Sequence, residues 1–442
     1  MSETIAAIAT ATGAAGIGIV RVSGPEAFTI LARVCQRTVA RQPSQTLRRA
    51  TLYDPRTLEP LDEGLLAVFP APRSFTGENV VEFQGHGGPV TLARVLAAIL
   101  AAGARTARPG EFSERAFLNG KLDLAQAEAI ADLVAARSVT AQRAAQRQLA
   151  GELSTHVLSI AEDLQEALAR VEATIDFPED VGELVPETVL RPLGRALQKC
   201  NTLLAGAAYG RRLSEGLTVA LTGLPNVGKS SLLNALAGTD RAIVTPLPGT
   251  TRDVLTEELI LAGVPVRVLD TAGLRATDDP IERIGVARAE AAAASADIVI
   301  VVVDATSPEP PLLPDRVDVI AVNKCDLAEP HLERFREHVS VAVSAQTKVG
   351  LEALAQAVVR VATGTTPGEH EAPLVTRARH EDALRRALAS LQEAQNTLVA
   401  ALPAELIAVD LHAALATLGE ITGATTREEI IQGIFARFCI GK

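Results

Sequence analysis

One stretch, Gly223-Leu224-Pro225-Asn226-Val227-Gly228-Lys229-Ser230-Ser231, constrains the fold of this chain more than any other. An apolar run at 217–221 precedes it, and a helical pattern through Leu232, Leu233, Ala235 and Leu236 follows. A glycine-rich turn between a strand and a helix converges successive backbone N–H groups on one point, where the helix start adds partial positive charge. Such a point accepts a polyphosphate. Lys229 is then placed to reach the outer phosphates, and the Ser230 hydroxyl to take a Mg²⁺ position, because a hard cation prefers oxygen ligands.

The surrounding pattern supplies the rest of that fold. Apolar runs at 218–222, 266–269, 298–303, 317–322 and 339–343 alternate with helix-like segments, which predicts a doubly wound parallel sheet. On either side the periodicity is helical. Leu122, Ala125, Ala129, Leu133 and Ala136 form one stripe, and Leu153, Val157, Ile160, Leu164 and Leu168 another. Residues 376–442 are helical again, with Thr425-x-x-Glu428 as an expected capping box. Before all of these, runs at 17–22, 65–69 and 80–83 predict strands, and a helix is expected to start near Pro89. The expected division is therefore a multidomain one: 1–118 α+β, 119–215 the first part of an α-helical bundle, 216–372 an inserted α/β domain, and 373–442 the second part of the bundle.

A chain of 442 residues is too long for one ordinary core, which agrees with that division. No apolar run is long enough to span a bilayer and the N-terminal stretch has no basic segment, so a cytoplasmic protein is expected. Cys35, Cys200, Cys325 and Cys439 lack metal or redox spacing. With a net charge of −11, any nucleic-acid partner must be held by a local basic patch. Arg377, Arg379, Arg385 and Arg386 are candidates for one, or else a solvated helix face. Gly85-His86-Gly87-Gly88 either presents amides to an anion or is a packing turn.

Four further stretches stand at the ends of successive expected strands, where open α/β sheets bind ligands. Gly249-Thr250-Thr251-Arg252-Asp253 offers the Thr251 hydroxyl to Mg²⁺. In Asp270-Thr271-Ala272-Gly273, the carboxylate can hold the metal's water shell and the Gly273 amide can meet a γ-phosphate. Asn323-Lys324-Cys325-Asp326 selects the base: Asp326 accepts from N1–H and the 2-amino group of guanine, two donors that adenine lacks. Ser344-Ala345 closes over the guanine O6. Together these resemble the translation-factor-like branch of P-loop GTPases and imply GTP as ligand.

The hydrolytic machinery is less standard. Where Ras-like GTPases carry a glutamine after Asp-x-x-Gly, this chain has Leu274, which neither donates nor accepts. The Asn226 oxygen is placed to bind a monovalent cation beside the phosphates, with carbonyls from the loop carrying Thr245, Leu247 and Thr250; equally, Asn226 is a variable loop residue. A K⁺ there would supply the charge that an arginine finger supplies elsewhere. Glu282 either positions water or is a solvated helix-start charge.

The blocks SFTGENVVEFQGHGGP at 74–89, RPGEFSERAFLNGKLDLAQAEAIADL at 108–133, the nucleotide motifs and the closing Phe438-Cys439-Ile440-Gly441-Lys442 resemble the MnmE (TrmE) family of tRNA-modification GTPases. The likeness covers essentially the whole chain. It implies a homodimer that works with a flavoprotein partner, MnmG, carrying FAD and NADH, in a heterotetramer. Together they would place a carboxymethylaminomethyl or aminomethyl group on C5 of the wobble uridine of certain tRNAs. It further implies 5-formyl- or 5,10-methylene-tetrahydrofolate at Arg21, Glu82, Lys121 and Lys442. Nucleotide contacts are implied along Asn226, Val227, Gly228, Lys229, Ser230 and Ser231, along Thr245, Pro246, Leu247, Pro248, Gly249 and Thr250, and at Asp270, Thr271, Ala272, Gly273, Asn323, Lys324, Asp326, Ser344 and Ala345. The resemblance assigns K⁺ to Asn226 with Thr245, Leu247 and Thr250, water orientation to Glu282, and a reactive thiol to Cys439, which otherwise reads as a small buried hydrophobe. Two departures stand out: the proline-rich 304–316 and the apolar Ala14-Ala15.

Overall fold

The computed structural model describes residues 3–37, 39, 46–238, 256–270, 293–308, 311, 313–366 and 374–441. They divide into two compact units, one built from the chain up to Ala131 together with that from Thr422 onward, the other from Asp132–Ile421.

The first unit is α+β. Strands β1 (Ile5–Ile8), β2 (Ala15–Ser23), β3 (Leu47–Tyr53), β4 (Pro60–Phe69), β5 (Val80–Gly87) and β6 (Arg105–Thr106) form one sheet in the order β3-β4-β5-β2-β1-β6. Side chains alternate across it, and Val20, Val22, Leu52, Leu66, Val68, Val81 and Phe83 enter one core with Ile30, Leu31 and Val34 of α1 (Ala27–Cys35) and Val95 and Ile99 of α2 (Pro89–Ala101). Each such buried side chain contributes roughly 1.5–3 kcal/mol. The alternate positions put Arg21, Glu82, Gln84 and His86 on the opposite, polar face.

Beyond the sheet lie α3 (Glu111–Leu118) and α4 (Leu124–Ala135). Phe117, Leu124 and Ala127 pack on Phe435 and Phe438 of the closing segment, with ring centroids 6.3 Å apart for Phe117–Phe435 and 5.3 Å for Phe435–Phe438. The closing helix Glu428–Phe435 begins with Arg427 at its cap position and no side-chain cap, so Glu428 opens the helix and the expected capping box does not form.

An ionic cluster fastens α3. Burial alone would raise the Glu111 carboxyl, but hydrogen bonds from Arg105, the Arg108 amide and Arg115 outweigh it and hold it at about 2. Since the folded value lies below the ordinary 4.5, the stabilisation is complete above that pH and is lost as pH falls toward 2. On the order of 2–3 kcal/mol is involved. Glu111→Gln is therefore expected to destabilise the protein at neutral pH and to flatten the acid limb of its unfolding, followed by circular dichroism between pH ~2 and ~5.

In the second unit, strands β7 (Leu217–Thr222), β8 (Thr256–Leu261), β9 (Val264–Asp270), β10 (Ile298–Asp304), β11 (Val319–Asn323) and β12 (Val339–Ala342) form a sheet in the order β12-β11-β10-β7-β9-β8. Five strands are parallel, as the continuous apolar runs predict. The sixth differs: β8 pairs antiparallel with β9 as an edge hairpin, so the sheet is mixed. Its sequence TEELIL opens on two adjacent glutamates before three apolar residues, which suits an edge and leaves too short an apolar run to mark a buried strand. Helix α5, Lys229–Ala237, follows β7, and Leu351–Thr363 follows β12; both contribute to a core with Val219, Val266 and Ile300.

The remaining helices of this unit, named by their bounds, are Val139–Leu149, Glu152–Asp176, Pro178–Val181, Pro186–Ala205, Ala207–Glu215, Ala378–Val399 and Ala404–Thr422. Ser138 caps the first of them by accepting from the Ala141 amide at 3.1 Å. The stripe Leu153, Val157, Ile160, Leu164 and Leu168 is buried throughout. Glu152–Asp176 and Pro186–Ala205 run antiparallel, tied by Arg195–Asp163 at 2.8 Å and Lys199–Asp163 at 2.6 Å. Tyr209 donates to the Ala262 carbonyl at 3.1 Å, which holds the turn of the β8–β9 hairpin.

Candidate nucleotide and pterin sites

The phosphate loop spans the end of β7 and the start of α5. Its glycines are dictated by neighbours as well as by curvature. A Cβ on Gly223, at φ +138°, would lie 2.3 Å from the Val302 carbonyl, and one on Gly228, at φ +94°, would lie 2.4 Å from the Asn323 side chain. Asn226 takes a left-handed conformation at φ 64°, which asparagine tolerates better than most residues. Lys229 arches over the loop and donates to the Gly223 and Leu224 carbonyls at 2.8 and 2.9 Å. Its ammonium thus sits above the ring of amides that a phosphate chain would enter. Ser230 and Ser231 are exposed at the helix start, with oxygens available to a metal.

Asn323 is the hub of the base-binding side. Almost fully buried, it donates to the Val227 carbonyl at 2.9 Å and accepts from the Ala345 amide at 3.1 Å, joining three motifs that lie far apart in sequence. Lys324, at φ 65°, reaches back to the Asn226 carbonyl at 3.1 Å and pairs with Asp304 at 2.5 Å. Burial would raise the Asp304 carboxyl, yet Lys324 and Thr306 together hold it below its ordinary value. Asp304 was not singled out from sequence; the acidic residue closing the run Ile298–Asp304 was the available signal. Asp326 is exposed beside the hub, and Ser344 is fully buried with its hydroxyl accepting from the Thr347 amide at 3.0 Å.

The backbone of Asp270 ends β9 in this sheet. Thr245, Pro246, Leu247, Pro248, Gly249, Thr250, Thr251, Thr271, Ala272, Gly273, Glu282 and Lys442 lie outside the described residues.

In the first unit a second site forms on the polar sheet face. Arg21 and Glu82 are register partners on β2 and β5, and their side chains pair at 2.8 Å. The Arg21 guanidinium lies 5.6 Å from the ring centres of both Phe75 and Phe112 and donates to the Gly441 carbonyl at 3.4 Å. Lys121 reaches the Pro72 carbonyl at 3.2 Å, bordering the same 72–77 loop that carries Phe75. A planar heterocycle with amide and amino donors suits the Glu82 carboxylate, with the exposed Phe75 ring beside its Arg21 partner. The aromatic pair and the Gly441 carbonyl have no local sequence signature. Cys439 is exposed, not the buried hydrophobe of the alternative reading, and its carbonyl accepts from the Gly110 amide at 3.3 Å.

Two other candidates are resolved by their partners. The His86 amide and ring both bond the buried Asp62 carboxylate, at 2.8 and 2.7 Å, and β5 runs on through Gly87, so that amide is already engaged. Arg377 pairs with Asp132 at 2.6 Å, Arg385 with Glu381 and Arg386 with Glu420, both at 2.7 Å, and Arg379 bonds the Glu420 carbonyl at 2.5 Å. Arg377, Arg379 and Arg386 tie separate helices together, whereas the Arg385 pair lies within one helix on its solvated face.

Comparison with known proteins decides the family. Residues 124–439 match the MnmE helical domain and residues 4–121 match the GTP-binding protein TrmE N-terminus. A protein named tRNA modification GTPase MnmE from Symbiobacterium thermophilum is 47% identical over 458 residues, covering 100% of this chain and 99% of the relative. Proteins of the same name from Chloroflexus aurantiacus and Ectopseudomonas mendocina are each 46% identical, covering 100% of this chain and 100% and 99% of their own lengths. The chain belongs to the MnmE family. Its multidomain build, α+β, helical and α/β with a phosphate loop, is that of an MnmE-family GTPase. Among the described residues no helix is long and apolar enough to cross a membrane.

Proposed function

We propose that this chain hydrolyses GTP and, with the flavoprotein MnmG, installs a carboxymethylaminomethyl or aminomethyl group on C5 of the wobble uridine of certain tRNAs, acting in the cytoplasm as a homodimer. The observation that carries the nucleotide part is the Asn323 hub, which joins the phosphate loop at Val227 to the base-closing loop at Ala345. Lys229 binds the outer phosphates, Ser230 and Thr251 hold Mg²⁺, and Asp326 reads guanine. Asn226, with the 245–250 loop, holds K⁺, which supplies positive charge where negative charge gathers during cleavage. Glu282 orients the attacking water. The Arg21–Glu82 pair, with Lys121, binds a tetrahydrofolate carrying the one-carbon unit, its ring set against the exposed Phe75.

Deleting the gene and measuring wobble uridine by nucleoside mass spectrometry tests the whole assignment; unchanged C5 modification would remove it. Each ligand has its own check. GTP turnover is expected to be several-fold faster in KCl than in NaCl, and equal rates would withdraw Asn226 as a cation ligand. Calorimetry with 5-formyltetrahydrofolate should give binding that Glu82→Ala weakens by about tenfold or more, the effect of losing a charge-assisted contact.

A further inference from the structure

One end of the helical bundle in the second unit is acidic, apolar and bare. Arg211–Glu381 at 3.6 Å and Arg386–Glu420 at 2.7 Å mark the opposite end, and His412–Glu172 at 3.1 Å lies between. The connection at 176–187 and the turn at 399–404 therefore share the far end. Between Arg170 and Arg191, and again between Arg386 and Arg427, the sequence contains neither lysine nor arginine. The first span carries Glu172, Asp176, Glu179, Asp180, Glu183 and Glu187; the second adds Glu393, Glu405 and Asp410 toward the same end. Burial, with a smaller contribution from the nearby Glu393, raises the Asp410 carboxyl above its ordinary value. Within this charge stand Phe177, Val181, Val185, Val399, Leu402 and Val409, each at least half exposed.

Apolar side chains grouped in this way mark a contact surface, and the charge decides its occupant. A polyanion such as tRNA is repelled, and a second copy of the same end would bring like charges together. We infer that this end docks a protein whose contact face is apolar at its centre and ringed by lysine and arginine. The occupant is the flavoprotein of the proposed partnership, on which this inference rests: an enzyme that acts on the same tRNA must carry cationic surface to approach its phosphates.

The test is calorimetric titration of the full-length protein with that flavoprotein at low and moderate salt. Binding is expected to weaken about tenfold or more as salt rises, as for charge-steered complexes. The double variant Glu179→Lys, Asp180→Lys should lose about tenfold in affinity together with most of the salt dependence, and Phe177→Ser about tenfold with the salt dependence kept. Both variants should hydrolyse GTP alone at the parental rate and melt within a few degrees of it, which separates a lost contact from a lost fold. Parental affinity in both variants would overturn the surface assignment while leaving the partnership intact. Absence of binding by the parent protein would instead overturn the partnership, and this occupant with it.

Discussion

Lys229→Ala is expected to slow GTP turnover by about a thousandfold, the scale of removing a preorganised group that meets developing charge. The Lys229 ammonium is held by two loop carbonyls, at 2.8 and 2.9 Å, over the turn whose amides face a phosphate chain. Removing it leaves the amide ring in place but deletes the one compact cation of the loop. Lys229→Arg should not restore activity, because a planar fork cannot replace a point charge seated between two carbonyls. Phosphate release under single-turnover conditions reads the effect directly. Because the side chain is not a core residue, the melting temperature should move little, and turnover near the parental rate would mean that the triphosphate is held elsewhere.

The second large effect concerns Asn323→Ala. Its amide, on a residue only 2% exposed, satisfies the Val227 carbonyl and the Ala345 amide, so truncation orphans two backbone groups at once. Each orphan costs roughly 1–3 kcal/mol. GTP affinity is expected to fall by about a hundredfold, and the melting temperature by several degrees, since the same bonds set the loop geometry. Asn323→Asp keeps the acceptor but turns the donor to Val227 into a repulsive oxygen, so it should rescue little. A fluorescent GTP analogue reports affinity and calorimetric scanning reports stability; loss of neither would show that the two loops hold their positions without the hub.

Most of the nucleotide site was legible because its chemistry is local: a glycine turn, a lysine and a serine must be neighbours in sequence to converge on one phosphate. The hub was visible as Asn323-Lys324-Cys325-Asp326, yet its reach to Val227 and Ala345 arises only when β7, β11 and the segment after β12 lie side by side. Asp304 was hidden for the same reason, since its partner Lys324 is twenty residues away. Periodicity predicted the five parallel strands of the second unit and β2, β4 and β5 of the first; it missed the short β1 and β6, the arginine-bearing β3, and β8, whose outer position allows charge within a strand. The four arginines at 377–386 read as a basic patch or a solvated helix face; the distant carboxylates that engage two of them, Asp132 on Arg377 and Glu420 on Arg386, lie on segments that no local pattern connects. The Phe75 and Phe112 rings about Arg21 meet only through the sheet and α3.

The first unit is stitched shut by residues from the far end of the chain: the Gly441 carbonyl on Arg21, the Cys439 carbonyl on the Gly110 amide, and Phe435 and Phe438 beneath Phe117. On the ribosome, the segment that emerges first must therefore wait, its aromatic surface uncovered, until residue 441 has cleared the exit tunnel. Trigger-type holding factors should bind the nascent chain through that whole interval, and a stall placed before residue 422 should prolong the association.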